Sequence, residues 1–200
     1  MITQYLRYAT TETDENLRIK LFFNAGEKWA RDKVESIGPF APAFFAVKGR
    51  NVIPFFSDAF GLEDRYDVFF EGSRILAAAN ESDYAILITY RRLRASGPPR
   101  HEDVCMDDVK FTCVMVYIHS HSGKHVTFYP VGWGDKNRRL RLFPPSAIPH
   151  ETPDMVRLFA LPEYAKLTTR LSRDALRRRD LDWIEKVAYW DESFSKFMPK

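Results

Sequence analysis

Three of the five histidines in this chain, His119, His121 and His125, lie close together in the segment Val109–Gly134. Imidazole nitrogens are common zinc ligands, and directly opposed residues of paired strands bring their Cβ atoms to about 4.5–5.5 Å. A three-residue hairpin loop that ends at Gly123 would place His119 opposite His125. The spacing therefore predicts that this pair could share a zinc ion, with His121 as a third ligand from the loop.

The same hairpin register sorts the strand side chains into two unlike faces, because alternate residues of a strand point to the same side. One face is wholly apolar and suits a protein core. The other face mixes apolar with polar groups: Cys113, Met115, Tyr117, His119, His125, Thr127 and Tyr129. Open water would favour charged residues at such positions, whereas a dry core would exclude the imidazoles. We therefore expect another element or another molecule to cover this face.

A protein partner is the cover that these residue types favour. Large aromatic side chains are typical anchors of protein interfaces, because each buries a large apolar area. The predicted docking surface combines the hairpin tip with nearby aromatic residues: Tyr117, His119, His121, His125, Tyr129 and Trp133. The partner is expected to be another protein, and a second copy of the chain is one such partner, which would make a homodimer.

An enzymatic interpretation has fewer residues to support it. The loop 92–108 gathers groups that could bind a divalent cation or act in acid–base chemistry: His101, Glu102, Asp103, Cys105, Asp107 and Asp108. However, the chain contains no H-E-x-x-H, C-x-x-C, G-x-S-x-G, Walker or dinucleotide-binding pattern. The alternative is therefore a metal-dependent enzyme, for example a hydrolase that uses His119 and His125 with these carboxylates. The cofactor of such an enzyme would be zinc, whereas the favoured interpretation has no cofactor.

Nucleic-acid binding is a third interpretation, and it rests on arginines. Arg170, Arg173 and Arg177 recur at helical spacing on one face, which could follow a phosphate backbone. Three more arginines lie in an earlier segment: Arg138, Arg139 and Arg141. Acidic residues are interspersed and the formal net charge is only +3, so a solvated helix face is the favoured interpretation.

Composition indicates a folded intracellular protein. Hydrophobic residues make up 45% of the 200-residue chain and aromatic residues 14%, which is enough for a substantial core. The cysteines, Cys105 and Cys113, follow no recognisable secretory leader and are expected to be reduced thiols. No apolar run approaches the roughly 20 residues that cross a bilayer. We expect a cytoplasmic protein without membrane association.

The order of elements follows from hydrophobic periodicity and from turn residues. Residues 13–36 predict an amphipathic helix, capped by Thr13 or Asp14. Its expected inner stripe consists of Leu17, Leu21, Ala25 and Trp29. A hairpin follows, and Pro54 assigns its second strand to a sheet edge because proline cannot donate a ladder hydrogen bond. Residues 62–79 predict a second helix.

The second helix is expected to bury Leu62, Tyr66, Phe69, Ser73 and Leu76. Residues Tyr84–Tyr90 then form a strand with apolar residues on both faces, which indicates a central position in a sheet. The histidine-bearing hairpin completes a platform domain over residues 1–134. Residues 135–200 predict a proline-rich arm and C-terminal helices that pack on the platform through Leu176, Trp183, Val187, Trp190 and Phe194.

This order predicts an α/β fold of the α+β type: a five-stranded antiparallel sheet with helices on both faces and a C-terminal helical extension. Over residues 13–131 the α-β-β-α-β-β-β order resembles the roadblock, longin and profilin-like platforms. The segment Ile37-Gly38-Pro39-Phe40-Ala41-Pro42-Ala43-Phe44 is similar to one in uncharacterised bacterial proteins, where a helix runs into a hairpin. Roadblock and longin platforms are generally scaffolds or regulatory binders. The resemblance therefore implies a non-catalytic binding or regulatory protein and transfers no catalytic residue.

Overall fold

The computed structural model describes residues 2–58, 66–94, 110–134 and 139–145. These residues form three helices and six strands: α1 (Ile2–Ala9), α2 (Glu15–Ile37), β1 (Ala43–Lys48), β2 (Asn51–Phe56), α3 (Tyr66–Ala79), β3 (Tyr84–Arg94), β4 (Lys110–Ser120), β5 (Gly123–Trp133) and β6 (Leu140–Leu142). The strands make one antiparallel sheet in the order β2-β1-β3-β4-β5-β6. The predicted α+β class is confirmed, whereas the prediction of five strands is wrong because β6 adds a sixth. Within the described ranges, no helix has the length and apolar character needed to cross a bilayer.

The described residues fall into two compact units. The first contains α1 and α2, the part of β3 from Leu87 onward and the part of β4 up to Ile118. It also contains β5 from Lys124 onward and the whole of β6. The second contains the β1–β2 hairpin, α3, the beginning of β3 and the hairpin turn 119–123. The predicted C-terminal helices lie outside the described residues, as do Leu62 and most of the loop 92–108.

Helix α2 confirms the helix predicted over residues 13–36. Asp14 caps it, since the Leu17 amide donates to Asp14 Oδ1 over 2.9 Å. At the other end Gly38 has a φ of 82°, which glycine adopts without a Cβ clash, and its amide donates to the Val34 carbonyl. Both ends of the helix are therefore defined by local residue chemistry.

The inner stripe of α2 differs from the predicted one. The buried residues are Ile19, Phe22, Ala25, Gly26, Ala30 and Val34. Leu17 is 44% exposed and Leu21 and Trp29 are half-buried, so only Ala25 of the predicted stripe is buried. The small residues on the true inner face allow close approach to the sheet: a Cβ built on Gly26 would lie 3.0 Å from Val116 Cγ1 and 3.5 Å from Ile88 Cδ1.

The second unit confirms the predicted hairpin and its edge strand. Lys48 pairs with Asn51 across the turn and Phe45 pairs with Pro54, and β2 is the first strand in the sheet order. The α3 helix packs beside β1, with the Phe69 ring stacked on Phe55 at a centroid distance of 5.0 Å. The predicted inner stripe of the second helix is confirmed where the structure describes its side chains: Phe69, Ser73 and Leu76 are buried.

Strand β3 occupies the central position that its composition predicts. It lies between β1 and β4, and every side chain from Tyr84 to Thr89 is at most 6% exposed. Burial on both faces explains the unbroken apolar run, because alternating polar residues would be unsatisfied there.

Candidate functional site

The tip of the β4–β5 hairpin has a two-residue turn, His121 and Ser122, between Ser120 and Gly123. The prediction of a three-residue loop is therefore wrong. A positive φ would be costly for Ser122, but neither turn residue has one, since Glu81 is the only described non-glycine residue with positive φ. The unusual conformation falls instead on Gly123, whose φ is 149°.

A one-residue change of loop length exchanges the two faces of β5 relative to β4. Val116 of β4 lies against Gly26 of α2, and the pKa of Tyr129 of β5 responds to the charges of Glu27 and Arg31 on the same helix. Val116 and Tyr129 thus share the face that α2 covers, although the predicted register placed them on opposite faces.

Because of the same change, His119 and His125 do not face each other as predicted. Residues an even number apart in a strand share a face, so His125 lies on the face of Tyr129 and His119 lies on the face opposite Val116. His119 and His125 are both half-buried, while His121 in the turn is exposed. Among the described residues, no group of three or more His, Cys, Asp or Glu side chains could hold a metal ion.

The mixed apolar and polar face of β4 is covered, as its composition predicts. Cys113, Met115 and Tyr117 are at most 1% exposed, and Tyr129 of β5 is 2% exposed. Burial raises the pKa of Tyr117 to about 12 and, together with Glu27, that of Tyr129 to about 12. It also raises the pKa of the Cys113 thiol to about 11, so this thiol is neutral and a poor nucleophile. In this structure neither tyrosine is available to a partner.

Trp133 is the member of the predicted docking surface that stands out into solvent. It is 67% exposed, the most exposed of the described large apolar side chains apart from Tyr8. Trp133 and the hairpin turn lie at opposite ends of β5, whose 11 residues span roughly 35 Å. The predicted docking residues therefore separate into a buried set, an exposed turn histidine and a distant tryptophan.

A groove opens beside Trp133, at the end of α2, and is lined by Glu35, Gly134, Arg139, Leu140 and Arg141. Pairing of β5 with β6 brings the last four of these residues together. Trp133 pairs with Leu140, and the Gly134 amide donates to the Arg139 carbonyl over 3.0 Å. On the helix side, Leu140 Cδ1 lies 3.6 Å from the Cβ position of Gly38. We refer to this feature as the α2–β6 groove.

Large apolar side chains are exposed on the three segments that border the α2–β6 groove. Ile37 is 63% exposed at the last residue of α2, and Phe143 is 41% exposed just after β6. Together with Trp133 they form what we call the apolar rim. Sequence reasoning found Trp133 but missed Ile37 and Phe143, and it missed β6 itself. The Leu-Arg-Leu alternation of residues 140–142 was the available signal, hidden in a segment rich in proline.

Arg31 fixes β6 against α2. Its Nη1 donates to the Leu142 carbonyl over 2.7 Å, and its Nη2 lies 2.7 Å from Glu27 Oε1. Glu35 Oε1 lies 3.9 Å from Arg31 Nη1, so the carboxylate that lines the groove already faces a cation. These contacts hold the floor of the groove in place.

The two groove arginines carry the exposed positive charge. Arg139 and Arg141 are both exposed, and neither guanidinium forms an ion pair within the part of the chain that the structure describes. A Cβ at Gly134 would lie 2.8 Å from Arg141 Cδ, so the stem of Arg141 crosses over this glycine. The described residues of the groove therefore include two exposed guanidinium groups, beside the exposed side chains of the apolar rim.

The remaining predicted functional groups lie outside the described residues. They are the loop residues His101, Glu102, Asp103, Cys105, Asp107 and Asp108, and the arginines Arg138, Arg170, Arg173 and Arg177. The cation-binding loop and the arginine-bearing helix face stay predictions.

No protein-family model, curated protein or solved structure matches this chain. The resemblance to roadblock, longin and profilin-like platforms therefore stays a prediction from element order. The function has to be argued from the groove, its rim and its charges.

Proposed function

We propose that this chain is a non-catalytic binding protein that docks a protein partner through the α2–β6 groove and its apolar rim. The exposure of Trp133 is the observation that carries the proposal. Tryptophan and arginine are the residue types most enriched among the energetically dominant positions of protein interfaces. Trp133 is 67% exposed, yet its backbone is held by pairing with β6. A fixed backbone lowers the entropic cost of ordering the side chain on binding.

Three further features support a docking role over a catalytic one. Leu140 lines the groove and pairs with Trp133, so the two apolar side chains share one face of the sheet beside charged residues, as in an interface core with a polar margin. Among the described residues, the titratable groups of the groove are Arg139, Arg141 and Glu35, whose carboxylate lies 3.9 Å from Arg31, and none of these side chains is a typical nucleophile of covalent catalysis such as serine or cysteine. The floor is held by hydrogen bonds, so the surface is preformed.

Site-specific photo-crosslinking tests the proposal. The photoreactive residue p-benzoylphenylalanine replaces Trp133, and the full chain is expressed in the cells that naturally produce it. We expect a discrete protein adduct on irradiation, because the aromatic replacement keeps the anchor in contact with the partner. The matched control carries the same residue at Tyr8, which is 69% exposed on α1.

The added substitution Ile37→Asp should remove the Trp133 adduct, since a carboxylate in the rim costs desolvation energy on binding. The proposal fails if positions 133 and 8 give the same adducts, or if the Trp133 adduct survives Ile37→Asp.

A further inference from the structure

We infer that the chain also binds single-stranded nucleic acid, with phosphates on Arg139 and Arg141 and an unpaired base stacked on Phe143. These three side chains lie on the face of β6 that points away from α2, and we call this surface the outer face of β6. The inference goes beyond the proposed docking of a protein partner, whose anchor Trp133 lies on the opposite face. It follows from the alternation of β6, from the support of the Phe143 ring and from the local charge.

Alternation along β6 separates its leucines from its arginines. Leu140 packs against the end of α2, and Leu142, two residues further on, points to the same side and is 2% exposed. The Gly134 amide donates to the Arg139 carbonyl over 3.0 Å, so the pairing with β5 extends to Arg139. Arg139 and Arg141 therefore lie together on the outer face, where both are exposed.

Phe143 continues the outer face beyond the last residue of β6. Its amide donates to the Pro130 carbonyl over 2.8 Å, so the pairing with β5 extends to this residue as well. A Cβ built on Gly132 would lie 3.0 Å from Phe143 Cε2 and 3.8 Å from both Cδ2 and Cζ, which means that the ring meets the strand with one edge. The side chain is 41% exposed, so the ring is supported from below and open to a flat aromatic ligand.

The sequence around the outer face carries an excess of positive charge. Residues 134–141 contain four basic side chains and one acidic side chain, Lys136, Arg138, Arg139 and Arg141 against Asp135. Their formal charge of +3 equals that of the whole chain. Glu35 is the described carboxylate that lines the groove, and it lies 3.9 Å from Arg31 on its own helix. An anionic ligand therefore matches this end of the sheet.

Cations in line with an exposed aromatic ring are the two components of a site for single-stranded nucleic acid. A guanidinium binds a phosphate through two parallel hydrogen bonds, which gives direction as well as attraction. Arg139 and Arg141 lie about 6.6 Å apart along the strand, and Phe143 follows at the same interval. A strand of nucleic acid that runs along β6 would therefore meet all three side chains on one side.

An acidic peptide would also meet the two arginines. It would need an aromatic or apolar residue at the matching position to use Phe143, whereas every nucleotide brings both a phosphate and a base with a π face. The base has to be unpaired, because a base inside a duplex is already stacked on its neighbours. Single-stranded nucleic acid is therefore the ligand that matches the outer face without a special sequence.

Fluorescence anisotropy with the full-length chain and a short labelled thymidine oligonucleotide tests the inference. We expect binding that weakens steeply as the salt concentration is raised, because phosphate contacts release counterions. Arg139→Glu and Arg141→Glu should each lower the affinity roughly tenfold, and Phe143→Ala should lower it by a similar factor through the lost stacking. A uridine oligonucleotide of the same length shows whether the ligand is preferred as DNA or as RNA.

An abasic strand of the same length and charge isolates the contribution of the base. The wild-type chain should bind it more weakly than the thymidine strand, whereas Phe143→Ala should bind the two strands equally. Two substitutions are matched controls for the outer face. Arg50→Glu, at an exposed arginine on the β1–β2 turn, and Trp133→Ala, on the opposite face of the sheet, should change the affinity for the oligonucleotide far less.

Absence of salt-dependent binding would overturn the inference, as would binding that Arg139→Glu and Arg141→Glu leave intact. Equal affinity of the wild-type chain for the thymidine and abasic strands would remove the stacked base. Displacement of the oligonucleotide by polyglutamate of equal charge would assign the outer face to an acidic protein instead. The test of protein docking uses Trp133 and Ile37→Asp, so the two proposals fail separately.

Discussion

Gly26 determines how closely α2 approaches the sheet. A Cβ at this position would lie 3.0 and 3.2 Å from the two γ-carbons of Val116, which is itself fully buried in β4. Glycine within a helix costs about 1 kcal/mol relative to alanine. The close helix–sheet contact offsets that cost, because the methyl groups of Val116 reach the helix backbone. Gly26 is therefore a packing residue and not a flexible point.

We expect Gly26→Val to destabilise the fold by about 1–3 kcal/mol, the usual cost of overpacking a well-filled core. Urea unfolding measures the change. Asn24→Val is the control for β-branched helix propensity, since Asn24 is exposed on the same helix, and it should cost much less. Val116→Ala combined with Gly26→Val should recover part of the loss in a double-mutant cycle. Additive effects of the two substitutions would contradict the contact.

The hairpin histidines show how far a residue-scale prediction depends on one turn. Composition correctly indicated a covered face, and Met115 and Tyr117 are buried. The loop length did not follow from composition, because both a two-residue and a three-residue turn fit Ser122 and Gly123. With the turn one residue shorter than predicted, His119 and His125 lie on opposite faces. The predicted pair of opposed imidazoles is therefore not formed. Their metal binding stays a prediction.

Among the elements, α2 shows that the ends of a helix can be predicted from sequence more readily than the residues that face the core. Capping is local chemistry, so the sequence reduced the candidates for the first cap to Thr13 and Asp14, of which the structure shows Asp14. The inner face depends on what the helix meets. The large apolar residues Leu17 and Leu21 suggested one stripe. The buried face instead contains Ala30 and Gly26, which lies against Val116, and such small residues contribute little to a hydrophobic pattern.

The capping residue of α2 can be tested with adjacent substitutions. Asp14 Oδ1 accepts the Leu17 amide over 2.9 Å, so Asp14→Ala leaves that donor without its partner and should cost about 1 kcal/mol. Thr13→Ala is the matched control, because the hydrogen bond of Thr13 to Glu12 uses its backbone amide. Thermal unfolding should show a lower midpoint for Asp14→Ala alone. Equal midpoints for the two variants would contradict the assignment of the cap.

Strand β6 shows why the groove could not be predicted. Its three residues are too few for a periodic signal, and they become a strand through pairing with β5 and through the bond from Arg31 to the Leu142 carbonyl. Arg31 lies 111 residues from Leu142 in sequence, so no local pattern indicates that bond. Trp133 could be chosen by residue type, while Ile37 joins the same surface only because α2 ends beside β6.

For the whole molecule, the α+β class and the presence of α2, α3 and strands β1 to β5 followed from the sequence because they rest on local patterns, whereas α1 was not predicted. The edge position of β2 and the central position of β3 followed as well, from Pro54 and from a strand buried on both faces. The number of strands and the surface around Trp133 did not, since both depend on contacts between distant segments.

The stability of the whole molecule should fall at alkaline pH because two tyrosines are buried. Burial raises the pKa of Tyr117 and of Tyr129 from 10.0 to about 12, so the folded state keeps these phenols protonated where the unfolded chain ionises. Their neutral forms contribute full stability below about pH 10, the ordinary pKa. That contribution is lost as the pH rises toward 12, where both phenols ionise in the folded state as well.

Urea unfolding at a series of alkaline pH values, with tyrosinate absorbance recorded in parallel, measures this loss. Tyr129→Phe removes one ionisable phenol and should make the decline less steep. A control substitution, Tyr8→Phe on the exposed face of α1, should leave the slope unchanged. A wild-type free energy of unfolding that stays level between pH 10 and 12 would show that the two phenols ionise as readily in the folded protein as in the unfolded chain.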